Sequence, residues 1–429
     1  MILLKVAWIS ASFSAAAKVV LYGRNAAYGS GNWLDDELIQ LLHSESIDKV
    51  YFISSLGNDQ RVVEADGVVY IDLGLGNKVN GTKAFCQQYR GTLASALKDA
   101  LPDLIQVWGT ETPTSQIALE CSKQLRIPSI LCPQGLMASL VHFPNGLVPA
   151  KEMCGRNPLL WAKMPLFNST KRTYQISTVF ERKAIEQADY ILSDNQWTFD
   201  YCRCLNRGYK ALNFPLPING SYQGAPWLLD DSNEFAIMSV SSRSAYKGQH
   251  VLVRAAARLK NDFDNLKIYF PGMSVKMSGG IKGNLKRTPY NAMLLRLIKQ
   301  FGLQDNVVFL DRLSPEELAN FMRTCRVFVN PSVIESNCMS LREAMCLGMP
   351  VVSAFAGSIQ EYVHNGENGY LYRYEEDEVL SRILCRLFEN EEECARIGAN
   401  ARCSMEAFYS GGESLGDIYT SVLRECHAG

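Results

Sequence analysis

The chain has 429 residues, about two domains' worth, and 47% hydrophobic residues let each half bury a core. Its 43 basic and 44 acidic side chains nearly cancel to a formal charge of −1, so no global field recruits nucleic acid or an anionic surface, and any anion must be bound locally. The 13 cysteines lack paired zinc-finger spacing, the chain opens on a predicted strand rather than a signal peptide, and no apolar run approaches the roughly 18–20 residues that span a bilayer. A reducing, cytoplasmic setting is expected, with at most peripheral membrane contact.

Short β-branched runs alternate with helix-period segments, the pattern of parallel sheets covered by helices. In the first half strands are predicted at 3–9, 49–54, 68–72, 103–107, 128–132 and 189–193, with helical spacing over Trp33 to Leu42 and Thr82 to Lys98. Cys202 and Cys204, one residue apart on a predicted helix, read as structural rather than metal-binding. From Ala211 to Pro226 prolines and glycines replace periodicity, as in an interdomain connection, which sets a boundary near residue 225.

The same alternation restarts with strands at 235–240, 266–270, 307–310, 326–330 and 350–354. Ser314-Pro315-Glu316-Glu317 opens a helix with a capping serine, proline at the first helical position and glutamate at the third. Ser340-Leu341-Arg342-Glu343 is read as opening another, closed by Gly348 and Pro350. The stretch from Met273 to Pro289 reads as a surface loop, and residues 417–423 as part of a closing helix. The division expected is 1–225, 226–405, and a 406–429 tail whose helix packs back on the first domain.

In open parallel sheets ligands sit at the carboxyl ends of strands, where loops lead into helix N-termini. After strand 235–240 comes Ser241-Ser242-Arg243-Ser244-Ala245-Tyr246-Lys247-Gly248, whose two cations could clamp a diphosphate or simply be solvated. After strand 326–330, Glu335 and Glu343 bracket a small-polar turn. Such carboxylates could accept sugar hydroxyls, although Glu343 could equally complete a capping box with Ser340. A third loop, Ser353 to Val363, carries Gly357.

Glu335 to Glu343 continues as Ala344-Met345-Cys346-Leu347-Gly348-Met349-Pro350-Val351-Val352, and the order of these loops resembles the retaining family-4 glycosyltransferases, of a type that builds bacterial surface polysaccharides. The resemblance covers nearly all of 235–375. It is looser in the first half, where Tyr28 to Trp33 stands for a glycine-rich loop and Trp108-Gly109-Thr110-Glu111 and Pro133-Gln134-Gly135-Leu136 look like motifs of that type. It implies the α/β GT-B fold, two Rossmann-like domains with parallel sheets facing across a cleft. The first domain would bind the acceptor and the second the nucleotide sugar.

Carried over by position, the resemblance implies that Arg243 and Lys247 neutralise the donor diphosphate and Glu343 holds the ribose. Glu335 and the amides of Asn337, Cys338 and Met339, with Ser340 beside them, would hold the transferred sugar. Gly31 would close over the phosphates and Arg312 would lie near the base. Ser336-Asn337-Cys338 stands where many relatives carry Gly-Phe-Gly. Gln134 stands where many carry a histidine; an amide cannot exchange a proton at neutral pH, so its implied role is hydrogen bonding. With no evident carboxylate nucleophile, front-face attack with retention is expected, the leaving diphosphate being stabilised by Arg243 and Lys247.

No metal site is visible and no cofactor beyond the nucleotide-diphosphate sugar substrate is expected. The expected acceptor is a glycan or lipid-linked saccharide, with no nucleic acid partner. Leu159 to Lys171 mixes apolar, Trp and Lys residues either as a segment touching the inner face of the plasma membrane or as a buried element with snorkelling lysines. Two other readings of the same fold stay open, a nucleotide-sugar epimerase and a non-catalytic scaffold.

Overall fold

The computed structural model describes residues 3–23, 32–76, 81–229, 235–240, 244–273 and 287–428. Two sequence-derived site residues, Gly31 and Arg243, lie outside them, as does most of the loop read between Met273 and Pro289. The chain forms two compact units. The first comprises 1–138, 173–217 and 411–429, and the second 139–172 and 218–410.

The first unit is built on an eight-stranded sheet of β1 (Leu4–Ser10), β2 (Ile47–Ser54), β3 (Arg61–Ala65), β4 (Val68–Asp72), β5 (Leu104–Trp108), β6 (Ser129–Cys132), β7 (Tyr190–Ser193) and β8 (Lys210–Asn213). Their order is β3-β4-β2-β1-β5-β6-β7-β8, parallel except for the antiparallel β3–β4 pair. β1 and β5 are buried along almost their whole length because helices cover both faces of the sheet, and both strands are accordingly rich in apolar residues. Ala7 and Ile9 face a core that includes Ile105, Val107, Leu97 and Ile117. Trp8 points the other way, edge-on to Phe52 (6.0 Å) and Trp108 (5.1 Å).

The closing helix Leu415–Ala428 covers that second face. Its Ile418, Tyr419, Val422 and Leu423 are buried at helical spacing, and the Trp8 Nε1–H donates to the Tyr419 hydroxyl at 3.0 Å. β3 and β8, absent from the sequence reading, are edge strands with several exposed side chains, so they lack the apolar run that marks a buried parallel strand.

The second unit has a six-stranded parallel sheet of β9 (Ala236–Met238), β10 (Lys267–Phe270), β11 (Val307–Phe309), β12 (Val327–Asn330), β13 (Val351–Ala354) and β14 (Tyr370–Tyr372), in the order β11-β10-β9-β12-β13-β14. The helix Pro315–Arg323 has the complete capping box: Ser314 Oγ accepts the Glu317 N–H (3.2 Å) and Glu317 returns a carboxylate to the Ser314 N–H (2.8 Å).

Residues 139–172 pack with this second unit rather than extending the first. Val148, Met153, Cys154, Leu160 and Met164 form a small core with Ala245, Tyr290 and Met293. Glu152 pairs with Arg254, and Arg296 donates to the carbonyls of Glu152 and Met153 (3.1 Å to the latter). Leu159 to Lys171 lies in the helix Pro158–Gln187. Leu160 and Met164 are its inner side, while Leu159, Trp161 and Leu166 are exposed. Among the described residues no helix is long and apolar enough to cross a membrane.

Candidate functional site

β9 pairs with β10 on one side and with β12 on the other, so the chain leaves β9 and β12 in opposite directions and their carboxyl ends flank a topological switch point. Lys247 closes a 3-10 turn, Ala245–Lys247, in the loop after β9, and Glu335 lies in the loop after β12. The Lys247 ammonium donates to Glu335 Oε1 at 2.6 Å, with Glu335 only 8% exposed. Burial opposes the Lys247 charge, but the Glu335 carboxylate outweighs it and raises the lysine pKa above its ordinary value. The switch point thus holds a cation and a carboxylate side by side, one suited to phosphate and the other to hydroxyls.

Backbone contacts set this geometry. The Val333 N–H donates to the Tyr246 carbonyl (2.9 Å), joining the loops after β9 and β12. Gly248 has φ +71°, and a Cβ there would overlap the Pro331 carbonyl oxygen. From the loop after β13, Gly357 (φ +55°) lies so close that a Cβ would overlap the Glu335 carbonyl oxygen. Ser358 adds two bonds, its N–H to the Glu335 carbonyl (3.2 Å) and its hydroxyl to the Ser336 carbonyl (2.6 Å). Three consecutive strand-end loops therefore form one backbone-tied platform beneath Glu335.

The helix beyond Glu335 begins two residues earlier than the Ser340 cap predicts. It spans Met339–Leu347 with Cys338 as its N-cap and no side-chain capping bond, because the platform already orients the entering chain. Ser340 is thus inside the first turn, and Glu343 lies too far along the helix to complete a capping box. Asn337, Met339, Ser340 and Glu343 are half-buried around this N-terminus. Cys338 is buried, which pushes its thiol up to about 12 and removes it as a nucleophile. Arg342 is fully buried, with its guanidinium over the rings of Tyr362 (4.6 Å) and Phe408 (4.9 Å). Arg312 is exposed just beyond β11, and Gln134 is half-buried after β6 in the first unit.

Behind the Lys247 turn is a polar network. The Tyr290 hydroxyl donates to Gln249 Oε1 (2.9 Å) and lies 3.1 Å from His250 Nδ1, and the Tyr374 hydroxyl donates to the Gly146 carbonyl (2.8 Å). Burial, with the Arg254 charge, lowers the His250 pKa to about 3, so this imidazole is neutral and does not exchange protons near pH 7.

The first unit has its own switch point, between β1 and β5. Just past β5, Gly109 (φ +86°) donates its N–H to the Cys132 carbonyl (2.8 Å), and the Glu111 carboxylate folds back over it to accept the Thr110 N–H (2.8 Å). Glu181, on the helix Pro158–Gln187, is fully buried and accepts from the Met137 N–H (2.6 Å), the Ala138 N–H (3.0 Å), the Tyr201 hydroxyl (3.1 Å) and the Thr110 hydroxyl (3.4 Å). Glu37, on the helix Asn32–Leu42, is 1% exposed, and its Oε2 has no hydrogen-bond partner among the described residues. Burial raises its pKa to about 8. Sequence reasoning gave Glu37 and Glu181 no role, since nothing local distinguishes them from helix-surface glutamates.

Residues 228–403 match the family model for glycosyl transferases group 1. The D-inositol 3-phosphate glycosyltransferase of Streptomyces griseus subsp. griseus is 31% identical over 181 residues, 42% of this chain and 37% of that protein. The enzyme of that name from Mycolicibacterium smegmatis is 34% identical over 125 residues, 29% of this chain and 26% of that protein. The chain therefore spans well under half the length of these relatives. Similarity to solved structures extends over the whole chain. A sucrose-phosphate synthase from Thermosynechococcus elongatus superposes with a TM-score of 0.70 at 18% identity, covering 99% of each chain. Anabaena HepE in complex with UDP-glucose does so with a TM-score of 0.63 at 17% identity, covering 99% of this chain and 100% of that one. The fold is GT-B, and residues 228–403 are similar to the group 1 glycosyl transferases.

Proposed function

We propose that this chain transfers a sugar, with retention of configuration and without a metal, from a nucleotide-diphosphate sugar to a glycan or lipid-linked saccharide in cell-surface polysaccharide synthesis. The observation that carries the reading is the Lys247–Glu335 pair at the switch point of the second sheet, inside the stretch that matches the group 1 family. Lys247, with Arg243 from the same loop, neutralises the diphosphate as it leaves. The N-terminus of Met339–Leu347 adds partial positive charge, and Asn337, Cys338, Met339 and Ser340 supply polar groups around the sugar. Glu335 accepts sugar hydroxyls, Glu343 binds the ribose and Arg312 lies toward the base. Gln134, half-buried after β6 in the first unit, offers hydrogen bonding rather than proton exchange. The acceptor oxygen attacks from the face the diphosphate leaves and passes its proton to the departing phosphate oxygen, so no enzyme carboxylate need become covalently attached.

Thermal-shift and hydrolysis assays against UDP-, GDP-, ADP- and CDP-sugars, run with and without EDTA, test this. UDP-glucose comes first because HepE is seen with it. Stabilisation by one nucleotide family, with affinity reduced about ten- to hundredfold in Lys247→Ala and activity unchanged by EDTA, is the expected result. A wild-type protein that no nucleotide sugar stabilises sinks the reading.

The exposed Leu159, Trp161 and Leu166 and the nearby exposed Arg156 and Lys171 support peripheral contact with the inner face of the plasma membrane. Co-sedimentation with anionic liposomes, reversed by Leu166→Glu, is expected. Equal recovery with and without liposomes would remove this part of the proposal.

A further inference from the structure

We propose that Glu111 is a binding residue for the saccharide acceptor, its carboxylate receiving hydrogen bonds from neighbouring sugar hydroxyls. The inference rests on the glycosyltransferase reading and assigns a residue and a ligand chemistry to the first unit. Ligands of open parallel sheets bind beyond the carboxyl ends of strands at the switch point, and Glu111 lies three residues past the end of β5 beside that point.

The two carboxylates there contrast sharply. Glu181 is sealed from solvent, and its oxygens receive four donors from the Thr110, Met137–Ala138 and Tyr201 positions, so it is a buttress holding together the loops after β5 and β6. Glu111 is only half-buried. Its donors are backbone N–H groups, from Thr110 and from itself, and among the described residues no cation pairs with it. A carboxylate offers about four lone-pair sites, so acceptor capacity remains for a ligand.

The loop is also shaped to hold the carboxylate in place. Gly109 sits at φ +86°, and a Cβ on it would lie 2.6 Å from Glu111 Oε2, so glycine is what allows the side chain to fold back over the strand end. The Gly109 N–H to Cys132 carbonyl bond and the Thr110 hydroxyl to Glu181 bond anchor the loop on both sides. Burial raises the Glu111 pKa, so its carboxylate is a more basic acceptor for hydroxyl donors. A polyhydroxylated neutral ligand supplies such donors in pairs, at a spacing one carboxylate can span.

Isothermal titration of the full chain, without nucleotide, with the methyl α-glycosides of glucose, galactose and mannose tests the proposal. The expected result is that wild type binds at least one of them and that Glu111→Gln weakens it by about tenfold or more. The UDP-glucose thermal shift of Glu111→Gln should match that of wild type. Thr110→Val, which cuts the tie to Glu181 but keeps the carboxylate, should weaken glycoside binding less than Glu111→Gln does. No glycoside binding by wild type, unaltered binding by Glu111→Gln, or an equal loss in Thr110→Val would each overturn the assignment. Failure of the donor-site reading shows separately, as absence of nucleotide-sugar stabilisation in wild type.

Discussion

Gly357→Ala is expected to lower sugar transfer by about a hundredfold while leaving the protein folded. At φ +55° the residue is in the left-handed region, but the larger effect is steric, since the new Cβ would occupy the position of the Glu335 carbonyl oxygen. Backbone cannot swing aside as a flexible side chain can, so the loop carrying Glu335, Ser336 and Asn337 must shift. The Ser358 bonds to the Glu335 and Ser336 carbonyls are strained with it. A displacement of about 1 Å in a positioning element is enough for a loss of this size. Gly366→Ala is the control: its φ is +80°, yet nothing lies within 4 Å of the added Cβ. It should cost about 1 kcal/mol of stability, from backbone strain, with transfer unaffected. Initial rates and urea midpoints of both variants check the pair, and equal losses of activity would mean that positive φ, not the overlap, is what matters.

The second large effect is on stability and comes from Glu37. Its folded pKa is raised to about 8 by burial, whereas in the unfolded chain it takes the ordinary value of 4.5. Between these values the unfolded chain has released the proton and the folded chain retains it, so folding must take up a proton and stability falls as pH rises. The contribution is fully present below about pH 4.5, declines across the window to about pH 8, and is flat above it. At pH 7 the loss is on the order of 3 kcal/mol. Glu37→Gln keeps the shape and cannot ionise, so its stability relative to wild type should increase from pH 5 to pH 8. Urea midpoints at pH 5, 7 and 8.5 measure this, and a difference independent of pH would show that Glu37 does not carry the burial cost. The neighbours that sense its charge are Tyr419, on the closing helix, and Cys132, at the end of β6.

Much of the second unit is legible locally. Its buried parallel strands are short apolar runs, because a strand covered on both faces has no polar side to alternate with. The Ser314 capping box closes within four residues and is therefore written in four letters. The order of loops bearing Lys247, Glu335 and Gly357 is likewise a property of chain order. The Ser340 signal, equally local in form, misplaced its helix start, because the contact between Gly357 and Glu335 directs the chain into Met339 and makes a side-chain cap unnecessary.

What tertiary structure alone decided is every relation that joins distant segments. The 2.6 Å bond between Lys247 and Glu335 connects residues 88 positions apart and exists because β9 and β12 are neighbours in the sheet although not in sequence. The need for glycine at 248 and 357 arises from carbonyls of other loops, Pro331 and Glu335, so neither requirement is visible in its own neighbourhood. Glu37 and Glu181 look in sequence like solvated helix glutamates and become buried only because the sheet and its covering segments close over them. Residues 139–172 join the second unit through Met153, Leu160, Met164 and the Glu152–Arg254 pair, partners 80 or more positions away. Propensity, capping and periodicity act over a few residues and so can be read along the chain, whereas burial and pairing depend on which surfaces meet once the sheets have formed.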